Sequence, residues 1–304
     1  MRRPPLVTFA LAATTALLLS ACGGDDSPAD PVATGTPGGD FPVTVGDVTL
    51  EAAPTRVVSL SPAVTEMLFA IGAGEQVVAV DEFSNYPPEA PTTDLSGFTV
   101  NPEAVAGYEP DLVIISAYAD EVVPQLGSLG IPVHVAPDNP TTIEDVYGQI
   151  TDLGTLTGHA DEAADLINRM SDDLAKLAAD APERDEPLTY YFEIDDTYWT
   201  YTSGSLVGSL LSEVGLENIA QDDSQVSVQL TAETIVAADP DVIFLGNTLY
   251  GVDAAAVAER PGWSEITAVR DGNIVELDSD IASRWGPRLV DLVAAVVDAV
   301  SQVE

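Results

Sequence analysis

The sequence predicts an α/β chain of two Rossmann-like lobes with mainly parallel sheets, joined by a single long α-helix. Three observations carry this. From Thr141 to Ala181 apolar residues recur at helical spacing: Ile143, Val146, Tyr147, Ile150 and Leu153, then, after Gly154 and Gly158 interrupt the run, Ala163, Leu166, Ile167, Met170, Leu174 and Leu177. Pro182 and Pro187 bound the segment, since proline disfavours helix through the residue before it. At about 1.5 Å per residue the run from His159 to Ala181 would span roughly 34 Å, enough for a strut between lobes.

The second observation is a phrase that occurs twice, once on each side of that strut, at a constant offset of 130 residues. Asn101-Pro-Glu-Ala-Val-Ala-Gly-Tyr-Glu-Pro-Asp-Leu-Val-Ile-Ile precedes it and Thr231-Ala-Glu-Thr-Ile-Val-Ala-Ala-Asp-Pro-Asp-Val-Ile-Phe-Leu follows. In each, a cap-forming residue opens a short helix, Pro110 or Pro240 closes it, and Asp111 or Asp241 leads into an unbroken apolar run suited to a buried parallel strand. The third is a weaker upstream match, Met67-Leu68, Ile71-Gly72 and Glu75-Gln76-Val77 against Leu210-Leu211, Val214-Gly215 and Glu217-Asn218-Ile219. Together they predict two related lobes.

In chain order, residues 1–22 read as a secretory signal. Arg2 and Arg3 precede an apolar run from Leu6 to Leu19, and Leu19-Ser-Ala-Cys-Gly has the pattern of a bacterial lipoprotein cleavage site at which Cys22 is acylated. Cys22 is the only cysteine, so no disulfide forms within the chain. Residues 23–40, rich in Gly, Pro, Asp and Thr, read as a flexible tether. A first α/β lobe is expected over 41–140, the helical linker over 141–182 and a second lobe over 183–304.

Within the first lobe, Phe41 to Leu50 alternates around Gly46-Asp47 as an edge hairpin. Arg56-Val-Val-Ser-Leu is a strand, Ser61 caps the next helix with Pro62 at its first position, and Gly72 ends that helix. Val77 to Val80 is a strand, and the loop after it lies where α/β proteins place ligand contacts. A helix over Asp120 to Leu129 and a strand over Ile131 to Val135 complete the lobe. The second opens with a strand over Leu188 to Ile194 and a helix over Leu206 to Val214; it ends with a strand over Ile274 to Leu277, a loop over Asp278 to Arg284 and a helix over Pro287 to Val303.

Charge excludes some partners. Without Arg2 and Arg3, eight basic side chains face fifty acids, a formal charge of minus 42. Nucleic acid and anionic membrane both need basic surface, so neither is expected, and contact with membrane is confined to the lipid anchor. The 46% hydrophobic content, in periodic segments, argues against disorder. An acidic surface of this kind suits high salt.

The chemistry-bearing motifs are sparse. Gly72-Ala-Gly74 follows a helix and lacks a third glycine, so a helix stop explains it better than a dinucleotide site. No Gly-x-x-x-x-Gly-Lys loop exists. His134 lies in an apolar strand and His159 heads the strut, and two isolated histidines supply neither a nucleophile's base nor a multi-imidazole metal site. No catalytic residue, cofactor or resident metal is predicted. Aromatic residues gather where strands give way to loops: Phe83, Tyr86, Phe98, Tyr118, Trp199, Tyr201, Tyr250 and Trp285. That placement suits a cleft for a large, partly apolar ligand.

Several phrases together resemble the substrate-binding proteins of ABC importers for vitamin B12, haem and ferric siderophores: Arg56-Val-Val-Ser-Leu-Ser-Pro-Ala-Val-Thr-Glu, Ser84-Asn-Tyr-Pro-Pro-Glu-Ala, Pro110-Asp-Leu-Val-Ile, Leu129-Gly-Ile-Pro-Val, Thr202-Ser-Gly-Ser and Arg284-Trp-Gly-Pro-Arg-Leu. The resemblance covers the chain from about Phe41 to its end. It implies two lobes on one rigid helix, a metal chelate such as cobalamin, haem or a ferric siderophore bound between them, an ABC importer permease as partner, a monomer, and a place on the outer face of the cell membrane. In the vitamin B12-binding members an Asp followed four residues later by Arg helps form the site, which implies Asp280 and Arg284 here, and an aromatic after the second strand implies Phe83. The candidate binding residues are therefore Phe83, Tyr86, Phe98, Tyr118, Tyr201, Asp280, Arg284 and Trp285. One acid per lobe meets the permease in this family, which implies Glu103 and Glu233. Most of the other tryptophans of the B12 pocket are lacking, which leaves siderophore and haem open. The alternative reading is a secreted two-domain hydrolase using clustered carboxylates and a metal.

Overall fold

The computed structural model describes residues Asp40 to Val303; the signal sequence, Cys22 and nearly all of the tether expectation lie outside them. The hairpin β1 (Val43–Val45) and β2 (Val48–Leu50) forms its own two-stranded antiparallel sheet and not the edge of a larger one. Its apolar side chains instead join the core cluster that contains Val146 and Ile150.

The first parallel sheet follows. It comprises β3 (Val57–Leu60), β4 (Val77–Asp81), β5 (Thr92–Leu95), β6 (Leu112–Ser116) and β7 (Val133–Ala136), in the order β5-β4-β3-β6-β7. Helices α1 (Pro62–Ala70), α2 (Pro102–Ala106) and α3 (Val123–Ser128) connect them. β3 and β6 are buried at every residue, which is why they read as unbroken apolar runs. β5, Thr-Thr-Asp-Leu, carries no such signal and was not foreseen. The helix expected over 120–129 is shorter, because Ala117 to Val122 forms a 3-10 turn before α3.

Two helices bridge to the second sheet, α4 (Ile143–Thr157) and α5 (Ala160–Asp180). Thr142 closes a reciprocal capping box with Asp145, and Gly158 ends α4 at φ 77°. Gly154 does not interrupt α4. A Cβ there would come within 2.5 Å of the Ala163 Cβ, so the glycine lets α5 lie against α4. At 21 residues, α5 is about 30 Å long.

The second parallel sheet runs β10-β8-β12-β13, from β8 (Leu188–Glu193), β10 (Leu216–Asn218), β12 (Val242–Leu245) and β13 (Ile274–Glu276). A two-stranded antiparallel pair not read from the sequence, β9 (Trp199–Tyr201) with β11 (Ser227–Gln229), stands apart from it, α6 (Leu206–Glu213) and β10 intervening between its strands in the chain. Helices α6, α7 (Ala232–Ala238), α8 (Ala254–Ala258), α9 (Thr267–Asp271) and α10 (Leu289–Val300) complete the lobe. Among the described residues no helix is long and apolar enough to cross a membrane.

The repeated phrase does the same work in both lobes. Asn101 Oδ1 accepts from the Glu103 and Ala104 amides at the head of α2, and Thr231 Oγ1 from the Thr234 amide at the head of α7. Glu109 and Asp239 then both take positive φ, 50° and 47°. Asp111 accepts from the backbone and hydroxyl of Thr55 at 2.8 and 2.9 Å, and Asp241 does so from Thr189 at 2.8 Å each. Each aspartate thereby ties the start of one central strand to its neighbour. One core cluster runs through both lobes and the bridging helices, with a smaller cluster on the outer side of each sheet.

Candidate functional site

Both sheets direct the C-terminal ends of their strands at one cleft of about 450 Å³, the location where open α/β sheets bind ligands. From the first sheet come Ser61 after β3, Phe83 after β4, Phe98 after β5, Tyr118 after β6 and Asp138 after β7. From the second come Ile194 after β8, Leu249 and Tyr250 after β12, and the segment from Ser279 to Trp285 after β13. Gln149 of α4 also lines the cleft.

One wall is an aromatic ladder. Phe83 meets Phe98 edge-on at 5.9 Å between centroids, and Phe98 stacks on Tyr118 at 5.2 Å and 15°. Phe83 and Tyr118 are about half exposed and Phe98 is 66% exposed, so their faces are available to a ligand. Opposite in the chain, Tyr201 packs edge-on against Trp285 at 5.4 Å, and Leu249 and Tyr250 stand 72% and 82% exposed. Leu249 was missed because a lone leucine in a loop has no periodicity to mark it; Tyr250 is among the mouth aromatics noted above but not among the candidate contacts.

Seven of the eight candidate contacts line this cleft: Phe83, Phe98, Tyr118, Tyr201, Asp280, Arg284 and Trp285. Tyr86 does not; its ring lies 4.3 Å from the Arg288 guanidinium, outside the cleft. Arg284 sits at the cleft but is only 8% exposed. Its Nη1 donates to Glu66 Oε1 at 3.2 Å and Asn85 Oδ1 at 2.7 Å, and its Nη2 to the Phe83 carbonyl at 3.0 Å and Asp280 Oδ1 at 2.7 Å. Asn85 in turn donates to the other Asp280 oxygen at 3.0 Å. Glu66, buried on α1, also takes a forked pair of bonds from Arg288 at 2.8 and 2.5 Å. The arginine therefore ties the second lobe to the first.

A second buried acid lies at the end of β4. Asp81 accepts from the Phe83 amide at 2.9 Å and the Ser84 hydroxyl at 2.6 Å, and a chain of hydroxyls continues through Thr65 to Ser59. Burial pushes its carboxyl above the ordinary value, against those hydrogen bonds, which act to lower it. Asp138 accepts from the Ala117 and Tyr118 amides at 2.9 and 2.6 Å, which holds the tyrosine at the wall. No group of three or more metal-ligating side chains is present among the described residues. Glu103 and Glu233 are not among the residues lining the cleft; they are exposed at equivalent positions of α2 and α7 and without ion-pair partners among the described residues.

A family model described as periplasmic binding protein matches residues 57–281. An uncharacterized ABC transporter substrate-binding lipoprotein of Bacillus subtilis (strain 168), YvrC, is 34% identical over 275 residues, covering 86% of this chain and 86% of the relative. A cobalamin-binding protein of Halobacterium salinarum is 34% identical over 278 residues, 85% of this chain and 74% of the relative. Of solved structures, the periplasmic haem-binding protein RhuT from Roseiflexus sp. RS-1 superimposes with a TM-score of 0.69 at 26% identity, over 80% of this chain and 98% of that one. The periplasmic vitamin B12 binding protein BtuF of Vibrio cholerae does so at 0.63 and 25%, over 82% and 97%.

Proposed function

Since this chain belongs to the periplasmic binding protein family, and serves an ABC importer as its substrate-binding protein and not as an enzyme, we propose that its cargo is a corrinoid. The observation that carries the reading is the charge of the cleft. Its charged lining residues are Asp81, Asp138, Asp280 and Arg284, and the one cation is already bonded to two carboxylates, an amide oxygen and a carbonyl. The propionates of haem and the multiple anionic oxygens of catecholate or citrate siderophores would enter without a free counter-charge, an expensive arrangement away from water. A corrinoid presents neutral carboxamides around its rim and broad apolar faces, which match the aromatic ladder. The relationship to a cobalamin-binding protein supports the same choice.

The test is a set of titrations in one buffer with cyanocobalamin, haemin and an anionic ferric siderophore. Cyanocobalamin should bind at least tenfold more tightly than the others. Tighter binding of either anionic chelate overturns the reading.

The relationship to a substrate-binding lipoprotein and the Leu-Ser-Ala-Cys sequence support acylation of Cys22, which would hold the protein on the outer face of the membrane. Cys22→Ser should release the protein into the medium or leave an unprocessed precursor; unchanged processing and retention refute the anchor. The exposed, equivalently placed Glu103 and Glu233 support docking to the permease through one acid per lobe.

A further inference from the structure

Gln149 breaks the pattern of its own helix. The buried face of α4 carries Val146, Gln149, Ile150 and Leu153, so an amide occupies a place where helical periodicity calls for an apolar side chain. Gln149 is 7% exposed, lines the cleft, and makes no side-chain hydrogen bond to any described residue. It is not among the side chains whose polar atoms are sealed from solvent without a partner, so its amide opens on the cleft. A buried amide without a partner is a standing cost that an aliphatic side chain would not carry.

A second group behaves likewise. Ser61 stands at the N-cap of α1, where its hydroxyl was expected to take a first-turn amide, yet it makes no capping bond. It is 8% exposed and lines the same cleft. The neighbouring polar groups differ: Asp81, Asp138, Asp280 and Arg284 are all satisfied within the protein. Gln149 and Ser61 thus offer the cleft a donor and acceptor side by side plus a hydroxyl, with no net charge.

Resting on the corrinoid reading, we propose that Gln149, aided by Ser61, is a specificity-determining residue that recognises a primary carboxamide arm of the ligand and rejects the corresponding carboxylate. A primary amide complements another primary amide, since each donates one N–H to the other's oxygen. A carboxylate can only accept. It would leave the Gln149 oxygen facing an anion in a cleft already lined by Asp81, Asp138 and Asp280, and unpaired polar groups are what give such sites their discrimination.

The experiment titrates wild type, Gln149→Leu and Ser61→Ala with cyanocobalamin and with each of its monocarboxylic acids, in which one rim carboxamide has been hydrolysed. Wild type should bind cyanocobalamin at least tenfold more tightly than one of these acids, that of the arm reaching Gln149. Gln149→Leu should bind cyanocobalamin about tenfold more weakly and lose that preference, while its thermal unfolding midpoint stays equal or rises, because the leucine completes an apolar face. Ser61→Ala, which removes no internal hydrogen bond, should lose a smaller factor and keeps the test open if Gln149→Leu misfolds. Wild type binding cyanocobalamin and every monoacid equally, or either variant binding like wild type, overturns the proposal and leaves the corrinoid reading standing. Failure of wild type to bind cyanocobalamin at all overturns both.

Discussion

Arg284 donates to four residues drawn from three separate segments, and this decides what its removal does. Its spacing from Asp280 marks a loop pair in the sequence, but nothing in the sequence shows Glu66, Asn85 or the Phe83 carbonyl converging on it. With its donors occupied, it shapes the cleft more than it offers hydrogen bonds to a ligand. Arg284→Ala leaves the buried Glu66 still paired with Arg288 but strips charge-assisted hydrogen bonds from Glu66, Asp280 and Asn85, and should lower stability by about 1 to 3 kcal/mol. Chemical denaturation measures this; an unchanged unfolding midpoint would return Arg284 to the ligand. Asp81 gives a pH signature. Its folded-state carboxyl holds its proton to higher pH than in the unfolded chain, so the native state binds more protons in that interval and stability falls as pH rises through the folded value. Relative to Asp81→Asn, wild type should therefore be stabilised by lowering pH toward about 4, the ordinary carboxylate value. A stability difference between the two that is independent of pH over that interval would show that burial does not hold Asp81 protonated. The partners of Arg284 are hidden in the sequence because they come from distant segments, and Gln149 and Ser61 because their meaning lies in the contacts they lack; the folded chain alone shows either.

Among elements, legibility followed burial. β6 and β12 are buried at every position and stand out as apolar runs, and the phrases leading into them carry matching caps, positive-φ residues and aspartate clamps. β5 and β11 are short and largely polar, and β9, Trp-Thr-Tyr, is only three residues long, so no period separates them from loops. Gly154 misled for a related reason: glycine weakens a helix in isolation, but here it permits the contact with Ala163 that a larger residue would block. The repeat bears on docking as well. Glu103 and Glu233 share position, exposure and helix context, and an acid in a first helical turn already complements the helix dipole. That local role predicts a loss of only some tenths of a kcal/mol per substitution. Docking predicts something separable: the Glu103→Ala, Glu233→Ala double variant should bind cargo as wild type does and fail to support uptake through the permease. Normal uptake by the double variant would confine these acids to their helices.

For the whole molecule the decisive quantity is the imbalance of charge and where the few cations lie. Five of the eight basic residues outside the signal sequence serve internal contacts. Arg56 donates to the Tyr108 and Glu109 carbonyls, Arg184 to those of Val300 and Val303 near the end of α10, and Arg260, Arg284 and Arg288 to the buried Glu193 and Glu66. They neutralise almost none of the surface. The remaining acids repel one another across the folded shape, and the unfolded chain relieves that repulsion by expanding. Salt reduces the Debye length from about 30 Å at 0.01 M to about 3 Å at 1 M, which weakens surface repulsion strongly and the buried pairs little. The unfolding midpoint should accordingly rise steadily with sodium chloride across that range. It should rise to a similar degree with potassium chloride, because screening depends on ionic strength and not on the identity of the cation. A flat or falling midpoint would mean that the surface charge is compensated at low salt, and a rise confined to one cation would point to specific sites in place of screening.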